Sequence, residues 1–312
     1  MLGSPQEFVR ATRHSAGRLV SNVTRISPRV NVDYAQCVGE VPPAADVKST
    51  WSEFQESIIQ EAFVAGNIRP DFLRTKMLRQ TVGPSQYRMG QRLVERLRAD
   101  EFGKKLLLMV ADSPFGEPFL LPSYPLLSSV GAQNLYYLFL LKKLLNENVL
   151  EYDGDFVDFG GGYGYFSRAV TLLNDRSDVY VLDLPIMGVV QQAFHEATLS
   201  PQRASRIKYV DAPALQSGGA NWAEFQPKLV KPFHFNATFS LSECDRATQL
   251  FVIENIVVRS SSFLIIYARN YHGVNNEEIY KEDIVRICSD HDIKNIEWKE
   301  YSYGNIAFGR KT

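Results

Sequence analysis

The sequence predicts an α/β fold, with a mostly parallel sheet in residues 149–312 and a helical region in residues 1–148. Two observations support this prediction. From Asp155 onward, short apolar runs alternate with stretches of helical period, which is typical of parallel strands joined by helices. Before that point the pattern is helical and is interrupted by proline and glycine. The chain closes with two strand-like runs around Tyr303-Gly304-Asn305, which predict an antiparallel C-terminal hairpin.

Four segments of the helical region have interpretable patterns. Thr50-Trp51-Ser52-Glu53 is a capping box, in which Thr50 caps a helix and Glu53 reaches back to its start. Helical period predicts two further helices, over Ser85–Ala99 and over about Gly131–Leu145. The latter is apolar on most sides, so we expect it to be buried. The prolines between Asp112 and Pro125 predict a loop.

Five apolar runs of the second region predict the parallel strands. They are Phe156–Phe159, Val179–Leu182, Ile207–Val210, Phe233–Thr238 and Phe263–Ala268. Helical stretches separate them, and the segment near Glu277–Ser289 predicts a further helix after the fifth. Ligands of such sheets bind at the carboxyl ends of the strands. The residues that follow each run are therefore the candidates for a functional site.

The composition restricts the partners. The 312 residues contain 34 Lys and Arg against 35 Asp and Glu, a net formal charge of -1. This balance predicts no general attraction to nucleic acid or anionic lipid, and no apolar run approaches the ~20 residues of a membrane span. Cys37, Cys244 and Cys288 have neither metal-ligand nor disulfide spacing, which is typical of a reduced, cytoplasmic protein. The oligomeric state stays open.

The main functional signal is Asp158-Phe159-Gly160-Gly161-Gly162-Tyr163-Gly164, between a predicted strand and a predicted helix. Gly160, Gly161, Gly162 and Gly164 allow a tight turn and let a ligand approach the backbone closely. Asp183 ends the next strand, where a carboxylate can accept hydrogen bonds from both hydroxyls of a ribose. Asp211 and Ala212 follow the third strand, where a carboxylate can meet an adenine amino group. These positions predict a nucleoside-binding site.

Two cofactors fit this pattern. A dinucleotide such as NAD requires a third small residue, so that helix and strand pack closely. Counted from Gly160 that residue is Tyr165, which is too large, and counted from Gly162 it is Ser167, which is tolerable. Asp158 favours the other cofactor, S-adenosylmethionine, because a carboxylate at the strand end repels a pyrophosphate and attracts a cationic amino acid. A glycine-rich turn that binds no cofactor is the third alternative.

The same residues resemble a known family. D-F-G-G-G-Y-G followed by V-L-D-L-P looks like the first two motifs of Rossmann-like methyltransferases. The finer similarity is to the bacterial sugar O-methyltransferase family, which carries an Asn after the fourth strand and then a Ser-Glu pair, here Asn236 and Ser242-Glu243. The Gly116-Glu117-Pro118 loop and the Tyr136-Tyr137 helix also resemble its N-terminal region. That family usually has Met at the position of Cys244.

The resemblance covers about residues 105–310. It implies a Rossmann-like methyltransferase sheet with S-adenosyl-L-methionine as cofactor, and it adds Leu184 and Asn236 to the expected cofactor contacts. It implies an acceptor that is a sugar or other small molecule, or a glycan, methylated on a hydroxyl. An NAD-dependent oxidoreductase and a non-catalytic partner protein with the same fold are the rival functions.

An alcohol is a poor nucleophile, and a positioned base adds about 10²–10⁴-fold to the rate of its reaction. The candidates are Glu243 and His272, which follow the fourth and fifth predicted strands. Glu243 has a structural alternative, since Ser240-Leu241-Ser242-Glu243 is itself a capping box. His272 has one too, because loop histidines are often merely exposed. The sequence predicts no metal site, since Glu243 and Asp245, two apart on a helix, do not face each other.

Two further histidines receive structural interpretations. His234 lies inside the fourth predicted strand and is expected to be packed in the core. His195 lies on the helix after Asp183 and is expected to have no special role. Ser240-Leu241-Ser242 stands where many plant-type small-molecule O-methyltransferases have a His, which argues against a phenolic acceptor handled by that mechanism.

Overall fold

The computed structural model describes residues 57–311, apart from residues 59, 65–66, 82–86, 213–214, 216–219, 230 and 302–303. The capping box at Thr50–Glu53, Cys37 and Tyr303 lie outside the described residues. The strands in chain order are β1 Phe63–Val64, β2 Asn67–Ile68, β3 Leu120–Leu121, β4 Tyr124–Ser128, β5 Asp155–Phe159, β6 Val179–Asp183, β7 Ile207–Asp211, β8 Phe233–Thr238, β9 Ser262–Tyr267, β10 Asn270–Tyr271, β11 Val274–Asn275, β12 Ile293–Tyr301 and β13 Gly304–Lys311.

The α-helices in chain order are α1 Lys76–Thr81, α2 Tyr87–Arg98, α3 Glu101–Met109, α4 Ser129–Leu140, α5 Tyr165–Leu173, α6 Pro185–Thr198, α7 Pro201–Ala204, α8 Ala220–Phe225, α9 Arg246–Asn255, α10 Asn276–Glu278 and α11 Ile284–Ser289. Two π-helical segments, Leu141–Leu145 and Ile279–Asp283, continue α4 and join α10 to α11. The predicted helices over 85–99, 131–145 and 277–289 are thus present with shifted ends, residues 85 and 86 lying outside the described ranges.

Seven strands form one sheet in the order β12-β13-β9-β8-β5-β6-β7. The pairs from β9 to β7 are parallel, while β13 runs antiparallel to both of its neighbours. The predicted fold class is confirmed: the sheet is Rossmann-like, mostly parallel, with the expected antiparallel C-terminal hairpin. The chain leaves central β5 toward β6 and β7, then crosses back to β8 on the other side, and such a reversal opens a crevice at the carboxyl ends of the strands.

The prediction that Asp112–Pro125 is only a loop was wrong. Its second half contains the two-stranded ribbon β3–β4, with a turn at Pro122 and Ser123. Pro125 is tolerated inside β4 because β3 and β4 form an isolated two-stranded ribbon with a register shift. Proline lacks the backbone N–H, which would be a loss in a central strand but not at such an edge position.

The capping box predicted at Ser240–Glu243 is also wrong. Those four residues form a single 3₁₀ turn, and helix α9 begins at Arg246. Asp245 is its N-cap, with Oδ1 accepting from the backbone N–H of Thr248 at 2.8 Å and Oδ2 accepting from the Thr248 hydroxyl at 2.9 Å. The Asp245-Arg246-Ala247-Thr248 pattern caps the helix instead, because its carboxylate accepts from both the backbone N–H and the hydroxyl of Thr248.

The helical region and the sheet share one hydrophobic core. Leu135 and Leu138 of α4 belong to the same buried cluster as Phe156 of β5 and Ile266 of β9. The expected burial of this helix is confirmed, since nearly every residue of α4 is buried. Among the described residues, Cys244 and Cys288 are free thiols, and none of the helices combines the length and apolarity that a membrane crossing requires.

Candidate cofactor and acceptor site

The glycine loop runs from the end of β5 to the start of α5. Gly160, Gly162 and Gly164 have φ angles of 67°, 57° and 95°, in the left-handed region where residues with a Cβ are strained. The turn that brings α5 back over β5 therefore requires glycine at these positions. The N–H groups at the start of α5 then lie beside the carboxyl ends of the strands, which is where an anionic or polar ligand group is favoured.

The loop has no spare room beneath it. A Cβ on Gly160 would collide with the Cβ and Oγ of Ser240, and one on Gly164 would lie 2.6 Å from Nε2 of His195. Ser240 also donates a hydrogen bond to the carbonyl oxygen of Phe159. The turn after β8 is therefore in direct contact with the glycine loop.

Asp158 lies under the loop with one oxygen unused. Its side chain is 1 % exposed, and Oδ1 accepts a 2.7 Å hydrogen bond from Nδ2 of Asn236, its register partner on β8. Oδ2 is buried without a hydrogen-bond partner and would be 2.9 Å from a Cβ on Gly161. Burial raises the pKa of this carboxyl to about 7, because the charged form loses its hydration. Asn236, one of the predicted cofactor contacts, supports Asp158 through this hydrogen bond.

Asp183 ends β6, the neighbouring strand. Its Oδ1 accepts from the backbone N–H of Leu184 at 2.8 Å, and its Oδ2 accepts from Nε2 of Gln191 at 2.7 Å. The same Gln191 nitrogen donates to the carbonyl oxygen of Gly162 at 2.8 Å and so ties the loop to the acid. Burial raises the pKa of Asp183 to about 7. Each carboxylate oxygen keeps further acceptor capacity, which a ribose diol can use.

The other predicted adenine contacts lie next to this acid. Asp211 is the register partner of Asp183 on β7 and is exposed, whereas Ala212 is buried. Leu184 is half-buried at the start of α6. The structure therefore brings the predicted cofactor residues to one edge of the sheet, around β5, β6 and β7.

His195 has a role that the sequence interpretation missed. It is fully buried, and its Nε2 lies 2.8 Å from the carbonyl oxygen of Gly164 while its Nδ1 lies 2.8 Å from the hydroxyl of Tyr209. A carbonyl can only accept, so Nε2 carries the proton and Nδ1 accepts from Tyr209. Burial lowers the pKa of His195 to about 4, which keeps the ring neutral. The available signal was Gln191 and His195, polar residues four apart on the inward face of α6.

The two candidate bases occupy different environments. Glu243 is half-buried in the 3₁₀ turn after β8. The pKa of its neighbour Cys244 is raised to about 12, first by burial and then by the carboxylates of Asp245, Glu243 and Asp183, so this turn lies close to the cofactor end of β6. His272 is exposed at the tip of the β10–β11 ribbon, with a φ angle of 43°.

Asn276 fastens the loops that follow β8 and β9. Its buried Nδ2 donates to the carbonyl oxygens of Ser242 at 2.9 Å and Ala268 at 2.8 Å, and its Oδ1 accepts from Gln249 at 2.9 Å. His234 is buried in the core, as expected, with Nδ1 2.7 Å from the hydroxyl of Ser262. Within the described ranges, we find no group of three or more His, Cys, Asp or Glu side chains arranged to hold a metal ion.

No protein-family model matches the chain, and no curated protein sequence matches it. Solved structures with a similar course of the chain include an O-methyltransferase family 2 protein from Planctomyces limnophilus in complex with apigenin, at 15% identity and TM-score 0.34, with 51% of this chain and 50% of that chain covered. This chain thus spans about half of that protein's length.

Two other similar structures were solved with a bound cofactor or its product. One is the N-methyltransferase NodS from Bradyrhizobium japonicum with S-adenosyl-L-homocysteine, at 14% identity and TM-score 0.38, with 72% of this chain and 98% of that chain covered. The other is magnesium protoporphyrin IX methyltransferase from Synechocystis with bound SAM, at 13% identity and TM-score 0.39, with 85% of this chain and 92% of that chain covered. At these TM-scores the likeness carries no conclusion about what this chain binds.

The contact between the glycine loop and Ser240 yields a prediction. Gly160→Ala should lower the free energy of unfolding by about 1–3 kcal/mol, because the new methyl group collides with the Ser240 side chain. Adding Ser240→Gly should recover part of this loss, since the next atom, Ser240 Cα, lies 3.6 Å away. Urea unfolding of the single and double variants measures both effects.

Gly188→Ala is the matched control. This helical position has open space, its nearest neighbour being Cβ of Tyr209 at 3.9 Å, so alanine should be neutral or stabilising there. A Gly160→Ala protein that unfolds at the wild-type urea concentration would contradict the close contact.

Proposed function

We propose that the protein is an S-adenosylmethionine-dependent methyltransferase that acts on a hydroxyl of a sugar or other small molecule. The single observation that supports this most strongly is the buried, unpartnered oxygen of Asp158 under a glycine loop, with Asp183 at the end of the adjacent strand. A carboxylate in that place favours a cationic group over the loop. The neighbouring carboxylate suits the diol of a ribose.

The residues present fit this cofactor. The glycine loop would let the cofactor approach the backbone closely. Asp158 would attract the ammonium group of the cofactor, and Asp183 would accept hydrogen bonds from its ribose hydroxyls. Leu184, Asp211 and Ala212 would border the adenine, and Asn236 holds Asp158 in place through its 2.7 Å hydrogen bond. A dinucleotide is disfavoured because its pyrophosphate would meet the buried carboxyl at the carboxyl end of β5.

When bound, this cofactor supplies an electrophilic methyl group for an in-line displacement. The contribution of the protein is then mostly to hold the acceptor oxygen in line, which alone can supply a large part of the rate. Glu243 is our candidate for the base that takes the hydroxyl proton, since its turn lies near Asp183 and contacts the glycine loop through Ser240. His272 is the second candidate.

Ligand binding tests the cofactor proposal. Adenosylmethionine and adenosylhomocysteine should bind with micromolar affinity, about -8 kcal/mol, and NAD should show no heat at the same concentrations. Asp183→Ala should weaken both nucleosides by about 1.5–3 kcal/mol, the range for hydrogen bonds to a charged group. Asp175→Ala, which removes an exposed carboxylate between α5 and β6, should bind like the wild type. Isothermal titration that detects NAD but neither nucleoside would refute the proposal.

The two raised pKa values predict a pH dependence. At pH values below about 7 the carboxyls of Asp158 and Asp183 are increasingly protonated in the free protein, and a cationic ligand must displace those protons. Affinity for adenosylmethionine should therefore rise with pH up to about 7, by as much as about tenfold per pH unit for each carboxyl, and then level off. Titrations at pH 5.5 to 7.5, in buffers of different ionisation enthalpy, count the protons released. An affinity that is flat over this interval would contradict the buried-carboxyl interpretation.

The base is tested by Glu243→Gln. If Glu243 accepts the proton, turnover should fall about 10²-fold or more, with adenosylmethionine affinity and melting temperature nearly unchanged. Asp245 is the N-cap of α9, so this substitution leaves that cap in place. Wild-type turnover in Glu243→Gln would show that Glu243 is not the base, and His272→Asn would then be tested in the same way.

A further inference from the structure

A pocket lies near the glycine loop, on the side of β8 and β9. A pocket of about 330 Å³ opens at the carboxyl edge of the sheet, between the end of β8, the end of β9 and the tip of the β12–β13 hairpin. Its walls include Phe239, Tyr301 and Asn305, and none of the loop glycines lines it. Phe239 directly precedes Ser240, the residue that contacts Gly160. The pocket is therefore next to the proposed cofactor position but separate from it.

The backbone of Phe239 is strained. Its φ and ψ angles are 67° and -39°, a conformation that bulky residues rarely adopt. Three hydrogen bonds hold it there: its N–H donates to Ile266 at 2.7 Å, and its carbonyl accepts from the Ser242 hydroxyl at 2.7 Å and from the Glu243 N–H at 3.2 Å. Strain of this kind persists where the surrounding structure enforces it, often at binding sites.

The strained backbone directs the Phe239 ring onto β13. A Cβ on Gly304 would lie 2.9 Å from Cζ and 3.0 Å from Cε1 of Phe239, so the tip of the ring lies close to the glycine backbone. Tyr301, the register partner of Gly304 on β12, lines the same pocket. The pocket thus has one aromatic wall from the turn after β8, next to the glycine loop, and another from the edge strand β12.

Asn305 provides a polar group in the pocket wall. It lines the pocket and is 8 % exposed. An amide can both donate and accept, so a hydroxyl group is a suitable partner.

The charged residues at the mouth neutralise one another. Arg269 lines the pocket and pairs with Glu300 and with Glu277 at 3.7 Å, and Glu277 pairs with Lys281 at 2.8 Å. These two cations and two anions have a net charge of zero, and the Arg269 guanidinium is already paired with two carboxylates. A free carboxylate or phosphate on the ligand would therefore find no uncompensated cation here.

We propose that this pocket is the acceptor subsite and takes a neutral, hydroxyl-bearing ring, with Phe239 and Tyr301 against the ring and Asn305 hydrogen-bonded to a hydroxyl. The inference rests on the proposed methyltransferase function and adds the size, charge and recognition residues of the acceptor. A volume of about 330 Å³ lies at the small end of ligand pockets. Pyranosides and phenols share the required chemistry, and the experiment separates them.

The test is saturation-transfer NMR with the full chain saturated with adenosylhomocysteine. The neutral probes are methyl hexopyranosides and catechol, and their anionic counterparts are glucuronate and protocatechuate. A neutral ring should bind, and the matching acid should bind about tenfold more weakly or not at all. Binding of pyranosides alone identifies a sugar acceptor, and binding of catechol alone identifies a phenolic one.

Two variants assign the binding to the pocket. Phe239→Gly should weaken the neutral ring about tenfold through loss of the aromatic wall. Glycine is unstrained at this φ, which offsets part of the core packing lost with the phenyl ring. Asn305→Ala should weaken it about fivefold through loss of one hydrogen bond. Asn255→Ala, at the far end of α9, is the matched control and should bind the ring normally.

Adenosylhomocysteine affinity separates the possible failures. It should stay within twofold of wild type in all three variants. If adenosylhomocysteine binds but no neutral ring does, or if the ring binds equally well to Phe239→Gly and Asn305→Ala, the acceptor subsite is refuted while the proposed function stands. If adenosylhomocysteine itself fails to bind the wild-type chain, the proposed function falls, and the subsite falls with it.

Discussion

The close approach of backbone to side chains at the glycine loop is the constraint on which the site depends. Any Cβ at Gly160 or Gly164 would collide with Ser240 or His195, so the loop is fixed by contacts from the turn after β8 and from helix α6 rather than by its own turn alone. Because Ser240 belongs to the turn after β8, the same contact sets the position of Phe239 and Glu243. The glycine loop and the pocket lined by Phe239 are therefore held in a fixed relative position by this turn. A ligand bound on the loop would be positioned relative to the pocket without a large rearrangement.

Burial makes the electrostatics of this edge unusual. Asp158 and Asp183 both have pKa values raised to about 7 by burial, so a substantial fraction of each carboxyl is protonated in the free protein near pH 7. A cationic ligand would restore their charge and gain an interaction that water does not screen. His195, neutral because burial lowers its pKa, places no opposing positive charge beneath the loop. The arrangement selects for positive charge above the glycines and against a pyrophosphate.

The parallel strands were predictable because strands covered by helices on both faces are continuous apolar runs. The strand Phe233–Thr238, for example, has the predicted bounds in the structure. The glycine loop was predictable because its conformation demands glycine. The hydrogen bonds of His195 and the place of Asn305 in the pocket wall were not, since each depends on a partner or a cavity formed by residues distant in sequence. The true cap of α9, Asp245, was missed because two capping patterns follow each other in the sequence, and only packing of the preceding turn decides between them.

The most direct measurement is a crystal structure of the chain with adenosylhomocysteine. If the glycine loop binds a nucleoside between two buried carboxyls, the ribose hydroxyls will lie about 2.5–3.2 Å from the carboxylate of Asp183, and the ammonium group will lie over the loop on the side of Asp158. The Phe239 pocket should then open toward the sulfur atom. A ligand bound away from the loop, or a nucleoside whose ribose contacts neither Asp183 nor its neighbours, would contradict this assignment.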